Sequence, residues 1–238
     1  MPDLHPPIRT VFLDAGGVLI HPNWQRVSDT FGRHGIAVSA PALREAEPDV
    51  KFRIDAADRI STTNDADRGS ALFNGVLDRA GVARGGARDA ALADLYAYHM
   101  EHNLWEDVDP EAAEVLEQLH ARHLTLAIVS NANGVVHRAF ERGGLHGYFD
   151  VICDSHVEGV EKPDPRFFQI VLERTGSRPE TTMHVGDLYH VDVVGARRAG
   201  LRPLLLDPHD LYGDFDVERI RSLGQLVDYV SQLHGGST

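Results

Sequence analysis

Residues 9–18 have the sequence RTVFLDAGGV, in which a short apolar run ends at Asp14 and two glycines follow. Runs of this length, without alternating polar residues, are typical of strands that are buried on both faces of a parallel sheet. In doubly wound α/β folds, ligands bind beyond the carboxyl ends of such strands. The stretch therefore predicts a buried parallel strand, with Asp14 at the edge of the sheet where a site forms.

The second half of the chain continues the same pattern of short apolar runs separated by helical patterns. The apolar runs are residues 124–129, 150–153, 182–185 and 201–206. The helical patterns are residues 110–122, 165–174, 191–199 and 217–233. Strands and helices that alternate in this way predict an α/β fold with a doubly wound, mostly parallel sheet.

Residues 23–105 interrupt this alternation with one helical pattern after another and no clear strand. The patterns are Trp24–His34, Pro41–Ala57, Ala66–Ala80 and Ala87–Asn103. We therefore predict two domains. Residues 1–22 and 106–238 form an α/β core, and residues 23–105 form a helical insertion.

The composition excludes several function classes. The 238 residues carry a formal net charge of -13, which repels phosphate backbones and anionic lipid, so we expect neither a nucleic acid nor a membrane as partner. No apolar run reaches the length of a membrane span, and the first ten residues lack the apolar core of a signal peptide. The single cysteine, Cys153, allows no intramolecular disulfide. We expect a cytoplasmic protein that is a monomer or a homodimer.

Lysine is rare in this chain. Of 23 basic side chains, only Lys51 and Lys162 are lysines. A lysine retained against such a preference for arginine is expected where a compact ammonium is needed, because a guanidinium does not replace it. Both lysines are therefore candidates for a role in a site.

Four polar side chains lie where the predicted fold would bring them together. Asp14, Ser130 and Asp187 each stand where an apolar run stops, and Lys162 lies in the loop after the run at 150–153. Taken singly, each is an ordinary turn, cap or surface residue. Because the carboxyl ends of parallel strands meet at one edge, their combination predicts a site with two carboxylates, a hydroxyl and an ammonium.

At these positions the chain resembles the haloacid dehalogenase superfamily, whose four motifs occur here in order. They are the strand that runs into Asp14-Ala15-Gly16-Gly17-Val18, the strand that ends in Ser130-Asn131, the lysine of Lys162-Pro163-Asp164-Pro165, and Gly186-Asp187 followed by Asp192. The helical insertion occupies the place of the superfamily's C1 cap. The resemblance covers the core from Arg9 to about Leu206.

The resemblance implies a magnesium-dependent phosphatase. Asp14 would attack phosphorus and form an aspartyl-phosphate, which water then hydrolyses. Mg²⁺ would be held by Asp14, by the backbone carbonyl of Gly16 and by Asp187. Asp192 would be a further ligand or would act on the ion from outside its immediate ligands.

The resemblance also implies how the substrate is held. Ser130, Asn131 and Lys162 would bind the phosphoryl oxygens of a small phosphorylated metabolite, and Ser130 and Lys162 would join Asp14 in catalysis. The cap would exclude water and select the leaving group.

The first motif departs from the superfamily's pattern. Its phosphatases carry an aspartate two residues after the nucleophile, which protonates the leaving group and activates water. Here that position is Gly16, and the threonine that follows in the family pattern is replaced by Val18. A general acid typically contributes about 10²–10⁴-fold in rate. One interpretation is a slow phosphatase, or one that acts on acyl or aryl phosphates, with His21 as the nearest substitute acid.

Two other interpretations stay open. The chemistry resembles that of the phosphonoacetaldehyde hydrolase branch, which cleaves a C–P bond with a small residue in the place of Gly16 and a cap lysine that forms an imine; Lys51 is the only lysine of the insertion. Alternatively, the protein binds a phosphorylated ligand or a partner without turnover, as a regulatory protein. We expect His184 and His190, on either side of Asp187, to have structural or supporting roles.

Overall fold

The computed structural model describes residues 6–235, without the side chains of residues 57, 58 and 235. The chain divides into two compact units. The core unit comprises the described residues of Met1–His21 and Val108–Thr238, and the insertion unit is Pro22–Asp107. These bounds lie within two residues of the predicted domain boundaries, and residues 1–5 and 236–238 of the predicted core lie outside the described part of the chain.

A parallel sheet forms the centre of the core unit. The strands of the described chain are β1 (Thr10–Leu13), β2 (Ile20–Pro22), β3 (Trp105–Val108), β4 (Thr125–Ser130), β5 (Val151–Asp154), β6 (Thr182–Gly186), β7 (Arg202–Leu206) and β8 (Arg219–Ile220). Six of them form the sheet in the order β5-β4-β1-β6-β7-β8, and every neighbouring pair is parallel. β2 and β3 form a separate two-stranded sheet. The predicted α/β class with a mostly parallel sheet is confirmed.

Helices cover the sheet of the core unit. They are α6 (Ala112–His120), α7 (Val136–Arg142), α8 (Ser155–Glu158), α9 (Pro165–Thr175), α10 (Val194–Arg198) and α11 (Gln225–Gly235). One apolar cluster joins β1, β4 and β5 to α9 and α10, and it contains Phe12, Ala127, Val129, Cys153, Phe167, Phe168, Val171, Leu172, Ala196 and Leu201. This packing fixes the strands whose carboxyl ends carry the predicted site residues.

One predicted helix is wrong in its first half. The pattern at residues 217–233 predicts a single helix, but Arg219–Ile220 forms β8 and the helix begins only at Gln225. Leu205 and Leu206 of β7 pair with these two residues, and Arg219 Nη1 donates to Asp207 Oδ2 at 2.8 Å. Pairing with the open edge of β7 therefore outweighs the local helical pattern, because backbone groups of an edge strand gain partners there.

The insertion unit is helical. Its helices are α1 (Trp24–Arg33), α2 (Ala40–Ile54), α3 (Ala57–Ile60), α4 (Asp65–Arg79) and α5 (Gly86–His102). Side-chain caps begin three of them, at Asn23, Ser39 and Asn64. Buried residues from α1, α2, α4 and α5, among them Trp24, Phe31, Leu43, Val76 and Leu95, form its apolar core. No helix of the described chain combines the length and the apolar character that a bilayer span requires.

Candidate active site

The sheet brings the predicted residues to one edge. Asp14 directly follows β1, its backbone N–H donates to the Val185 carbonyl of β6 at 2.9 Å, and Asp187 directly follows β6. Ser130 is the last residue of β4, and β4 pairs with β1 on the side of β1 that faces away from β6. Because all three strands are parallel, their polar ends lie side by side, as the sequence predicts.

A buried ammonium lies at the centre of the site. Lys162 Nζ is 2.9 Å from Asp14 Oδ1 and 2.7 Å from Asp192 Oδ1, and the lysine side chain is completely buried. Asp14, Asp187 and Asp192 each offer an oxygen within 4.8 Å of the others. When all three are ionised, three negative charges face one positive charge, so the cluster has a net charge of -2. In proteins, clusters with an excess of carboxylates of this kind commonly bind cations.

The surroundings shift the pKa values of Asp14 and Asp192 in opposite directions. Burial, together with the charges of Asp192 and Asp187, raises the pKa of Asp14 to about 7, despite the opposing charge of Lys162. Burial also acts to raise the pKa of Asp192, but the Lys162 charge and the hydrogen bond from His184 hold it well below its usual range. Asp192 is therefore the permanent counter-ion of Lys162, whereas the charge of Asp14 depends on its surroundings.

The cation itself stays charged. Burial alone would lower the pKa of Lys162, but the charges of Asp14 and Asp192 more than offset this, and its pKa is raised above the ordinary value. Lys162 thus supplies a fixed positive charge beside Asp14.

The carboxylate of Asp192 uses its acceptor capacity within the protein. Oδ1 accepts from Lys162 Nζ at 2.7 Å and from the His184 ring at 2.9 Å. Oδ2 accepts from the backbone N–H groups of Asp187 and Leu188, at 3.2 and 3.0 Å. A carboxylate has about four lone-pair positions, and all four are engaged here. This arrangement favours the indirect alternative that the resemblance implies for Asp192 over direct binding to a metal.

Gly186 permits this close approach. A methyl group at Gly186 would lie 2.1 Å from Asp192 Cγ and 2.3 Å from its Cβ, which is far inside van der Waals contact. Asp192 comes back to the end of β6 through a π-helical turn, Tyr189–Val193. The glycine of the Gly186-Asp187 motif is thus required by packing, because any side chain would displace Asp192.

Asn131 engages the backbone of Lys162 with its side chain. Its Nδ2 donates to the Lys162 carbonyl at 3.0 Å, and its Oδ1 accepts from the Lys162 N–H at 2.8 Å. This pair of hydrogen bonds fixes the loop that carries the lysine to the end of β4. If Asn131 binds substrate as predicted, its backbone is the part that remains for this role.

The Ser130 hydroxyl is weakly constrained, whereas the turn after Asp14 is held by hydrogen bonds. Within the described part of the chain, the Ser130 hydroxyl has a single long contact of 3.4 Å, with the Asn131 carbonyl, and its side chain is buried at the strand end. The Asp14 carboxylate accepts from the Ala15 N–H at 2.7 Å. Gly17 has φ 78°, a left-handed conformation that favours glycine, and closes a tight turn with Ile20.

The structure describes the surroundings of His21, the candidate substitute acid, and of Lys51, the candidate imine-forming lysine. His21 Nε2 is 3.3 Å from Asp109 Oδ2, so its side chain is paired at the point where β2 leaves the core unit. Lys51 lies in α2 of the insertion unit, where its side chain is half-buried. The fully buried lysine of the described chain is Lys162.

His184 contacts the site, although the sequence motifs do not include it among the site residues. It lies inside β6 and its ring is completely buried. Burial lowers the pKa of His184, although its hydrogen bond to Asp192 acts in the opposite direction. The sequence signal for His184 is a polar residue inside a predicted buried strand, but the sequence does not indicate that Asp192 is its partner.

Comparison with known proteins defines the class. Residues 8–200 match the haloacid dehalogenase-like hydrolase family, and the chain belongs to this family of hydrolases. It is 36% identical over 155 residues to a ribulose-1,5-bisphosphate 5-phosphatase from Halopiger xanaduensis, covering 59% of this chain and 63% of the relative. It is 31% identical over 128 residues to a glyceraldehyde 3-phosphate phosphatase from Methanothermobacter thermautotrophicus, covering 52% and 56%.

A solved structure extends the similarity of the fold over almost the whole chain. YfnB from Bacillus subtilis, solved bound to magnesium, has a TM-score of 0.70 and 18% sequence identity, covering 94% of this chain and 99% of its own. At this identity the match supports the fold alone. The match to the two phosphatases spans less than two thirds of their length.

Proposed function

We propose that this chain is a magnesium-dependent phosphatase of small phosphorylated metabolites, with Asp14 as a nucleophile that becomes an aspartyl-phosphate. The observation that carries the proposal is the cluster of three carboxylates, Asp14, Asp187 and Asp192, two of which contact the buried Lys162 ammonium. The two relatives are phosphatases named for different substrates, which supports the class of reaction rather than one substrate. We assign the insertion unit the role of a cap that selects the substrate.

The donor set of the cluster fits Mg²⁺, which prefers oxygen ligands. Asp14, the backbone carbonyl of Gly16 and Asp187 would hold the ion, and Asp192 would influence it through Lys162 and the Asp187 backbone. When bound, the ion offsets the repulsion between an attacking carboxylate and the phosphoryl oxygens.

The contacts of Asp14 orient its carboxylate. Oδ1 is bound by Lys162 Nζ and by the Ala15 N–H, which leaves Oδ2 for attack on phosphorus. The new Oδ2–P bond forms as the bond from phosphorus to the leaving oxygen breaks, and water then attacks phosphorus, releases inorganic phosphate and restores the carboxylate. Because only the ionised form attacks, the charge of Lys162 beside Asp14 is a requirement of this step.

Lys162, Ser130 and the backbone N–H of Asn131 would bind the phosphoryl oxygens. Lys162 already stands beside the nucleophile, and Ser130 ends the neighbouring strand with a hydroxyl held by only one long contact. Preorganised donors of this kind stabilise the charge that develops in the transition state.

Gly16 provides no proton for the leaving oxygen, so turnover should depend strongly on the leaving group. An aryl phosphate, whose leaving group needs little protonation, should react faster than an alkyl phosphate by about 10²-fold or more. His21 stays a hypothesis for a substitute acid. If it serves, His21→Gln lowers turnover of the alkyl ester and leaves that of the aryl ester unchanged; equal effects on both substrates would remove His21 from the proposal.

The function is tested by phosphate release from 4-nitrophenyl phosphate with and without Mg²⁺, for the wild type and Asp14→Asn. We expect magnesium-dependent release that falls by at least about 10⁴-fold in the variant. Release that persists in Asp14→Asn, or no release above that of the variant, contradicts the proposal. In the second case, borohydride trapping of Lys51 with a phosphonoaldehyde tests C–P bond hydrolysis, and binding of inorganic phosphate without turnover tests the regulatory alternative.

A further inference from the structure

His184 lies beneath the charged cluster and contacts it through Asp192, and an apolar ring lies beside its imidazole. It is the central residue of β6, opposite Phe12 of β1 in the strand register. The Phe168 ring contacts its imidazole edge-to-face with 4.9 Å between the ring centres. The imidazole is completely buried, and burying a polar ring among apolar side chains is unfavourable unless a hydrogen bond compensates.

That hydrogen bond goes to Asp192. His184 Nε2 is 2.9 Å from Asp192 Oδ1. An ionised carboxylate only accepts hydrogen bonds, so the tautomer assigned from this contact carries its proton on Nε2. His184 is therefore a donor to the oxygen that Lys162 also binds.

The shared oxygen links His184 to the nucleophile. Lys162 Nζ divides its hydrogen bonds between Asp192 Oδ1 at 2.7 Å and Asp14 Oδ1 at 2.9 Å. A second donor on Asp192 Oδ1 withdraws part of that oxygen's charge from the ammonium. Without it, Asp192 would attract Lys162 more strongly and draw it away from Asp14.

We infer that His184 is a positioning residue, whose Nε2–H occupies Asp192 Oδ1 and so keeps the Lys162 ammonium within reach of Asp14 and of a bound phosphoryl group. The inference rests on the proposed function for its catalytic consequence, but its geometric content, the position of Lys162, is independent of turnover. Partners that orient the groups of a site typically contribute about 10–100-fold to its activity.

Two variants of matched length separate the donor from the packing. His184→Gln keeps an N–H donor near the position of Nε2, whereas His184→Met has a side chain of the same length without one. We expect His184→Met to lower kcat by about 10–100-fold, with a smaller change in KM, and His184→Gln to recover most of the loss. Crystal structures of both variants should show the Lys162 Nζ to Asp14 Oδ1 contact lengthened in the methionine variant and kept near 2.9 Å in the glutamine variant.

The outcomes distinguish this inference from the function on which it rests. Equal kcat and equal Lys162 positions in the two variants would overturn the inference and leave the phosphatase proposal intact. If the wild type shows no turnover, the function fails, and the Lys162 to Asp14 distance in the two structures still decides the inference. If His184→Met does not fold, His184→Asn replaces it, because its shorter amide does not reach Asp192 and should give the same loss.

Discussion

Both units bury a basic side chain, but they balance its charge in opposite ways. In the insertion unit, Arg88 is 1% exposed and donates to the Asp78 carboxylate, to the Val82 carbonyl and to two oxygens of Asn74. Hydrogen bonds from Arg84 and Arg88 lower the pKa of Asp78 to about 2, so two cations share one carboxylate.

The core unit reverses this ratio. Lys162 is completely buried, two carboxylates contact its single charge, and the carboxylate of Asp187 lies within 4.8 Å of both of them. The donors of Arg88 are matched by one carboxylate and by neutral acceptors of the fold, whereas the core cluster retains an excess of negative charge. The comparison teaches that a buried cation does not by itself identify a functional site. What identifies the site is the net charge of the cluster that remains after its ion pairs are counted.

Of the two buried cations, Lys162 is expected to matter more for turnover, because Lys162→Met removes the compensating charge from beside Asp14. Turnover of 4-nitrophenyl phosphate should fall by about 10²–10³-fold, the typical cost of removing one electrostatic contact in a transition state. Steady-state kinetics measure the loss. Turnover within a few-fold of the wild type would mean that the core cation is structural, as Arg88 is.

Arg88→Met should destabilise the insertion unit by about 3 kcal/mol, because it leaves the Asn74 and Val82 acceptors without their donor. Trp24 and Trp105 are the two tryptophans of the chain, and both lie in this unit, so urea titration followed by tryptophan fluorescence reports its unfolding. Arg88→Lys keeps the charge without the fork of donors and should recover only part of the loss. A fluorescence transition unchanged in Arg88→Met would refute the structural role.

Asp14→Asn should stabilise the metal-free protein above pH 7. The folded-state pKa of Asp14 is raised from 3.8 to about 7, so protonation stabilises the fold. This contribution is complete below about pH 4 and is lost as the pH rises through about 7. Relieving about 1 kcal/mol of repulsion raises Tm by about 2–4 °C in a chain of this size.

The pH dependence and a second variant provide the controls. The difference in Tm between Asp14→Asn and the wild type should shrink as the pH falls from 7 to about 4, as thermal unfolding in the presence of EDTA will measure. The pKa of Asp192 is instead lowered, so its stabilising contribution is present at neutral pH and Asp192→Asn should lower Tm. Stabilisation by both variants would contradict the assignment of Asp192 as the permanent counter-ion.

Sequence patterns were sufficient to predict β1, β4, β5, β6 and β7 and the residues at their ends, but not β2, β3 or β8. The apolar runs before Asp14, Ser130 and Asp187 are strands of one parallel sheet, because side chains buried on both faces leave a continuous apolar signature. The topology of a parallel sheet alone predicts that residues at the ends of its strands form a site. It also predicts that Asp14 and Lys162 lie close together, as they do.

Sequence patterns do not predict the contacts that hold the site together. The saturation of Asp192 depends on a π-helical turn, and helical periodicity does not predict such a turn. The pairing of Asn131 with the Lys162 backbone joins residues 31 positions apart, and neither residue type requires it. β8 formed in place of a predicted helix because a neighbouring strand offered an unpaired edge. Each of these depends on tertiary contacts rather than on local preference.

The central claim, that the excess negative charge of the core cluster binds a divalent cation, is tested most directly by thermal unfolding with and without Mg²⁺. At about 100 times its Kd, the ion should add about 2.7 kcal/mol to the stability of the wild type. This corresponds to a rise in Tm of roughly 5–10 °C. Asp187→Asn should lose the rise, and Asp78→Asn, in the insertion unit, should keep it. A wild-type Tm that does not respond to Mg²⁺, or an equal rise in Asp187→Asn, would contradict the account.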